Sequence, residues 1–251
     1  MRAEALLTVE LGADGRSVLR DLRSQPPLTL LPQRRRTSRS DGAAVVHLVG
    51  SATSPLGGDR VRLRVQVGRG ARLRLRGTAA TVALPDPHGR PSSAAVEIDV
   101  APGGTVEYLP EATVVSARAE HAARLAVRLG AGARMRCRET LVLGRRGERP
   151  GTLVSTTELS RAGVPLLRQR LDLGDRWLDA TPPHRAGARV LATETLVWDA
   201  DPRAAAGGDG WALTPLAAGG AQATALAPDA VTAQRRLRLA VGAHPDAADL
   251  L

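Results

Sequence analysis

Three segments of the chain repeat one arrangement of apolar and polar positions: an alternating run, a glycine turn, then a second alternating run. They are Val61–Arg76 (VRLRVQVGRGARLRLR), Val96–Leu109 (VEIDVAPGGTVEYL) and Leu125–Arg138 (LAVRLGAGARMRCR). Aligned on the turns, Val65, Ile98 and Val127 share a column, as do Gly70, Gly103 and Gly132, with steps of 33 and then 29 residues. Period-two alternation marks half-buried strands, and glycine between such runs marks a tight turn. Repeats of about 20–50 residues stack supersecondary units on a shared core. The centre of the chain therefore reads as an all-β layered body, β-helix-like or built of stacked hairpins, with many short strands and one or two short helices.

The same alternation sorts the charges. In the first repeat Leu63, Val65, Val67, Ala71, Leu73 and Leu75 form the apolar face, leaving Arg62, Arg64, Arg72, Arg74 and Arg76 on the polar one. The polar face carries Glu97, Asp99 and Glu107 in the second repeat and Arg128, Arg134, Arg136 and Arg138 in the third. Five arginines on one strand pair would repel where directly opposed, and an acidic layer between two basic ones relieves this. The repeats are thus expected to stack as neighbours, with Glu107 between Arg74 and Arg136 and with Arg64 beside Glu97. Cys137 falls in the inward column of Leu75 and Tyr108 and reads as a small core residue.

Around the repeats, Ala5–Leu11 and Arg16–Leu22 flank Asp14-Gly15, a hairpin signal. Ser24–Pro32 reads as an extended crossover, Ala43–Val49 as a strand, and Gly50–Asp59 and Leu84–Ser93 as loops. Glu139–Leu143 continues a strand into the loop Gly144–Gly151. Thr152–Leu159 and Pro165–Leu173 form a hairpin around Arg161–Gly163. Thr181–Gly187 is a loop, Val190–Trp198 a strand and Ala204–Gly210 a variable tip. A helix is predicted from Asp229, its N-cap, to Val241, with Ala230, Ala233, Leu237 and Val241 as its stripe. Ala117–Arg124 is a weaker helix candidate. No shift of composition divides the chain, which reads as one domain over residues 1–251.

Composition narrows the function classes. With 251 residues and 43% hydrophobic content the chain can bury a real core, yet it has no Phe and only four aromatics, Tyr108, Trp177, Trp198 and Trp211. No run is apolar enough to span a membrane, and the N-terminus reads straight into a strand, not a signal peptide. One cysteine fits a reducing, cytoplasmic setting. The net charge of +10 points toward nucleic acid. All 35 basic residues are arginine, however, which reads as a genome-wide bias. They are also spread along strands without interleaved aromatics. Gln33–Arg39 is the one dense cluster and reads as a solvated loop.

Catalytic signals are scarce. His47, His88, His121, His184 and His244 are isolated and read as loop or surface residues, and no spacing suits a closed metal site. The glycine turns lie between strands, not at helix N-termini where amides would hold a phosphate. Ser51, Ser54, Ser92 and Ser93 lie in loops without a nucleophile elbow. Glu107 and Glu111 flank Leu109-Pro110 as solvated strand ends.

Four local features, taken in order, resemble a known family. Gly57-Gly58-Asp59 precedes the first repeat and Thr78-Ala79-Ala80-Thr81 follows it. The second closes on Glu107-Tyr108-Leu109-Pro110. The third runs through Glu139-Thr140-Leu141 into Gly144-Arg145-Arg146-Gly147-Glu148. This succession, over roughly residues 5–175, resembles the UreD (UreH) urease accessory proteins. The segment Glu111–Ser116 lacks the proline and phenylalanine usual there, and the Gly144–Glu148 loop is compressed. The resemblance implies a β-rich, non-enzymatic scaffold for inserting the nickel centre of urease. It implies work with UreF-type and UreG-type proteins on the urease apoprotein, and no nucleic-acid or membrane partner. It implies no stably bound cofactor, nickel being at most in transit. Gly57, Gly58, Asp59, Tyr108, Leu109, Pro110, Gly144, Arg145, Gly147 and Glu148 are the motif and candidate partner-contact residues. The alternative is a basic nucleic-acid-binding β protein.

Overall fold

A computed structural model describes residues 1–33, 42–174 and 187–250. The cluster after Gln33 and most of the Thr181–Gly187 loop lie outside the described residues. In chain order the strands are β1 (Arg2–Leu11), β2 (Ser17–Arg23), β3 (Leu28–Pro32), β4 (Ala44–Gly50), β5 (Arg60–Val67), β6 (Arg72–Gly77), β7 (Thr81–Ala83), β8 (Ser92–Val100), β9 (Thr105–Leu109), β10 (Thr113–Val115), β11 (Glu120–Leu129) and β12 (Arg134–Leu143). They continue as β13 (Thr152–Arg161), β14 (Val164–Leu173), β15 (Val190–Val197), β16 (Ala206–Gly208), β17 (Trp211–Pro215) and β18 (Ala221–Ala227). Two helices close the chain, α1 (Ala230–Gly242) and α2 (Ala247–Leu250).

The first sheet runs β14-β13-β11-β8-β5-β1-β2, and the second runs β16-β17-β18-β15-β12-β9-β6-β4-β3. At each glycine turn the chain crosses from the first sheet to the second, so the two strands of a repeat face each other across the core and do not pair. Like strands of successive repeats pair in parallel: Val65 with Ile98 with Val127, and Leu75 with Tyr108 with Cys137. These are the coils of a β-helix. Gly70, Gly103 and Gly132 all take left-handed φ, between 64° and 67°, which a side chain would strain. The amide of Gly70 bonds to Pro102 and that of Gly103 to Ala131, so the turns stack as the strands do. The five arginines of the first repeat therefore stand on opposite sides of the body, and the repulsion expected within one strand pair does not arise.

At the opposite end the coils return through longer loops. There β7 and β10 pair with each other, β10 pairs with the end of β12, and Leu56 bridges to Leu84, giving a short third ladder. Antiparallel strands flank the parallel coils: β2 and the β14 hairpin in the first sheet, β3 and the β15–β18 group in the second. Such capping limits open-ended strand addition. The helix α1 begins as expected, with Asp229 as N-cap accepting from Thr232. It buries Ala233, Leu237, Ala240 and Val241 against β15, β17 and β18, while Ala230 is exposed.

Two expectations fail. Ala117–Arg124 is no helix: Glu120 onward forms β11, paired on one side with β8 and on the other with β13. Sheet neighbours on both sides satisfy its backbone, and its inward alternation of His121, Ala123 and Leu125 outweighs alanine's helix preference. Ala204–Gly210 is not merely a tip, since Ala206–Gly208 pairs with β17.

Candidate functional site

All the motif residues lie at the long-loop end. Gly57, Gly58 and Asp59 form the corner where the chain turns into β5. A Cβ on Gly57 would lie 2.2 Å from the Cβ of Asp86 and 2.6 Å from the Arg90 carbonyl oxygen, so only glycine lets these loops touch. Asp59 is buried. Its Oδ2 accepts from the Ser54 hydroxyl (3.0 Å) and the Leu56 amide (2.9 Å), and its Oδ1 pairs with the Met1 amino group at 2.7 Å. Burial alone would raise its pKa; these donors outweigh burial and hold it below the usual carboxylate value. The carboxylate anchors its own turn.

Gly144 opens the last return loop at the equivalent position. The register sets Val115 beside both Ala83 and Leu143, so Leu84, Ser116 and Gly144 follow in one column that Leu56 joins through its bridge to Leu84. Gly144 and Gly147 are left-handed, and Glu148 ties the loop down. One of its oxygens meets the Arg145 guanidinium (2.9 Å), and the other accepts from the amides of Arg145 (3.1 Å) and Ala117 (3.4 Å).

Between these corners the sheets enclose a cavity of about 180 Å³, lined by Tyr108 and Pro110 among the motif residues. Polar side chains divide the core here. On β12, Cys137 belongs to the main apolar cluster and Leu141 to a second one near the loops; Glu139 sits between them. On β13, Ser155 lies likewise between Leu159 and Leu153, and its hydroxyl donates to Glu139 at 2.7 Å across the sheets. Burial pushes the Glu139 carboxyl above its ordinary pKa against that hydrogen bond. His121 is buried beside Ser92, with Nδ1 2.9 Å from the Ser92 hydroxyl oxygen, and burial lowers its pKa to about 4. It is therefore neutral near pH 7. Burial also pushes the Tyr108 hydroxyl and the Cys137 thiol well up, leaving Cys137 an inert core thiol.

The sequence reading missed His121 and His244, which are both buried, and Ser92, which is a buried strand residue. Glu139 carried a usable signal: it interrupts the inward series Met135, Cys137, Leu141, Leu143. Among the described residues no three His, Cys, Asp or Glu side chains converge as metal donors, and no helix is long and apolar enough to cross a membrane.

On the outer faces, Glu107 lies between Arg74 (2.6 Å) and Arg136 (3.9 Å), as the repeats predict. The second-sheet ladder continues beneath the helices, where Glu194 binds both Arg136 and Arg138, the latter at 2.8 Å, and Arg136 donates to the Leu250 carbonyl. The first sheet carries a parallel series, with Arg64 reaching Glu4 (3.0 Å) and Glu97 (3.7 Å) and Arg124 reaching Glu97 (3.8 Å) and Glu158 (2.6 Å).

Comparison with known proteins bears directly on this arrangement. The family described as UreD urease accessory protein matches residues 2–247, well past the span of the sequence motifs. A protein of Saccharopolyspora erythraea named urease accessory protein UreD 1 is 65% identical over 98% of this chain and 97% of its own length. Urease accessory protein UreD of Parafrankia sp. is 40% identical over 96% of this chain and 88% of its own. That of Frankia alni is 40% identical over 94% and 91%.

Proposed function

The chain belongs to the UreD urease accessory protein family, and from that premise we propose that it acts in urease maturation as a non-catalytic scaffold. Its partners in this reading are a UreF-type protein, a UreG-type GTPase and the urease apoprotein, assembled in the cytoplasm. Nickel, the cargo, is at most in transit through this chain. The observation that carries the reading is the family match over residues 2–247, with its 65% identical relative over nearly the whole chain. The geometry is consistent with a scaffold. The carboxylates of Asp59 and Glu148 are engaged in holding loops, Asp59 to its own turn and the Met1 amino group and Glu148 to its own loop and the Ala117 amide. The outer arginines of the coils are largely matched by acidic residues on adjacent strands. That matching also weakens the nucleic-acid alternative, because a paired guanidinium releases little counterion on meeting phosphate.

The test is deletion of the coding sequence in a urease-positive host. Urease protein is expected to accumulate with little nickel and little activity, and the intact gene should restore both. Full nickel occupancy in the deletion strain would refute the reading. Co-expression with the UreF-type protein is expected to raise the soluble yield and give one co-eluting complex.

A further inference from the structure

Most outer arginines of the coils meet carboxylates across strands; among the described residues the exposed Arg60 and Arg76 make no ion pair, and neither do three arginines on the last return loop and the loop beside it. Arg146 and Arg149 after β12, and Arg118 just before β11, are exposed and make no ion pair among the described residues. The two loops are joined, since Glu148 accepts from the Ala117 amide and the Gly151 amide donates to Ser116 at 3.0 Å. On these two loops and the start of β11 the acids are Glu148, already occupied by Arg145 and backbone amides, and the exposed Glu120. Arg145 is paired and Arg189 donates to the Gly144 carbonyl, so both hold the loop, while Arg146 and Arg149 on it and Arg118 on the loop beside it stay exposed.

Arg118 adds an independent observation. Its φ is 61°, one of only two left-handed non-glycine residues among those described. Glycine would adopt that conformation without cost, so an arginine there keeps its side chain against a backbone penalty. Strain retained at an exposed position points to a use for the side chain.

We propose that Arg118, Arg146 and Arg149 form a docking surface for an acidic face of a partner protein, a proposal that rests on the maturation reading above. A guanidinium presents a planar fork of donors that matches a carboxylate in bidentate fashion. Nucleic acid fits less well. Among the described residues no aromatic side chain is available to stack a base, since Tyr108 is buried and Trp198 and Trp211 belong to the region under the helices. Binding here should be salt-sensitive, with the arginines acting chiefly on association rate.

The experiment compares the full chain with Arg118→Gly and with the double variant Arg146→Glu, Arg149→Glu. Affinity is measured at low and high salt for three probes: the purified UreF-type protein, the urease apoprotein and a short duplex DNA. The double reversal should weaken one protein partner about tenfold at low salt, and Arg118→Gly roughly threefold, with both effects shrinking at high salt. Arg118→Gly relieves strain, so its melting temperature should stay level or rise while binding falls. Unchanged affinity and salt dependence in both variants would overturn the docking surface alone. Wild-type chain that binds neither protein would overturn the maturation reading with it. A loss confined to duplex DNA would overturn the choice of a protein partner, and a lowered melting temperature for Arg118→Gly would make that arginine structural.

Discussion

The two sheets carry the same alternation of arginine and acid, in different surroundings. On the first, Arg124 and Glu158 are 48% and 46% exposed at their side chains, and Arg64 and Glu4 are similar. On the second, the ladder runs from Arg74, 34% exposed, under the helices to Arg136 at 11% and Glu194 at 0%. Water screens the outer pairs of the first series and leaves each a small net energy, while Glu97, 17% exposed among Arg62, Arg64 and Arg124, is its one sheltered carboxylate. The covered end of the second loses that solvation, so each partner there becomes indispensable to the other. One sequence pattern thus sets register in the open and locks the terminal helices where it is covered.

The sharpest way to break this contrast is to remove Glu194. Glu194→Ala leaves Arg136 and Arg138 without their shared carboxylate, and the loss should be about 3–5 kcal/mol in denaturant unfolding. Amide exchange should quicken in α1 and α2, because Arg136 also holds the Leu250 carbonyl. Replacing the pair together, Arg136→Met with Glu194→Leu, should recover most of the stability. A single-variant cost under about 1 kcal/mol would show that cover does not change the ladder's energetics.

A second covered group sharpens the comparison through pH. The folded pKa of His121, about 4, lies below its usual value near 6.5. Between those values the unfolded chain binds a proton that the folded chain does not, so stability falls as pH drops from about 6.5 toward 4. The full effect is about 3 kcal/mol for a shift of this size. The raised pKa of Glu139 works the other way above its unfolded value, so the wild-type curve mixes the two. His121→Gln isolates the histidine: its stability should fall less than that of the wild type over this window. Parallel curves would mean that His121 is solvated in the folded protein.

These contrasts show which features local sequence exposes. The columns Val65–Ile98–Val127 and Arg74–Glu107–Arg136 were legible because parallel coils repeat a spacing that survives in the chain. The crossing between sheets was not, because a glycine turn between alternating runs serves a hairpin or an arc equally well. The third ladder of β7 and β10 is three residues per strand, too short for periodicity to register. Glu194 was hidden for a different reason: its cover, α1 and α2, begins 36 residues later, and nothing local marks a glutamate as buried. His121 was lost when alanines drew its segment toward a helix. At the candidate site, the motif glycines were visible as types, but their need for close contact between loops was tertiary information.

Between the extremes stands Glu107, whose side chain is 13% exposed and touches Arg74 more closely than Arg136. Glu107→Gln keeps the shape and removes the charge, and it should cost about 1 kcal/mol, less than Glu194→Ala and more than the exposed first-sheet pairs such as Arg124 with Glu158. Arg74→Ala combined with Glu107→Gln in a double-mutant cycle should give a coupling of the same order. Zero coupling would make the column a consequence of register and not a contributor to it.

The smallest effect belongs to Asp99 and Arg128 on the first sheet, 46% and 61% exposed, joined at 2.6 Å between β8 and β11. The pair is bidentate, which is favourable geometry, but water reaches both side chains and holding a long arginine costs rotamer freedom. Asp99→Asn should therefore change unfolding free energy by only about 0.2–0.5 kcal/mol, and the difference should vanish near 1 M salt, where the screening length is about 3 Å. Register should survive the change, because Val127 opposite Ile98 and Leu129 opposite Val100 fix which face points inward, and a one-residue slip would turn these buried side chains to solvent. A cost above about 2 kcal/mol, or one insensitive to salt, would mean that the open ladder carries stability as the covered one does, and the distinction between the two sheets would fall.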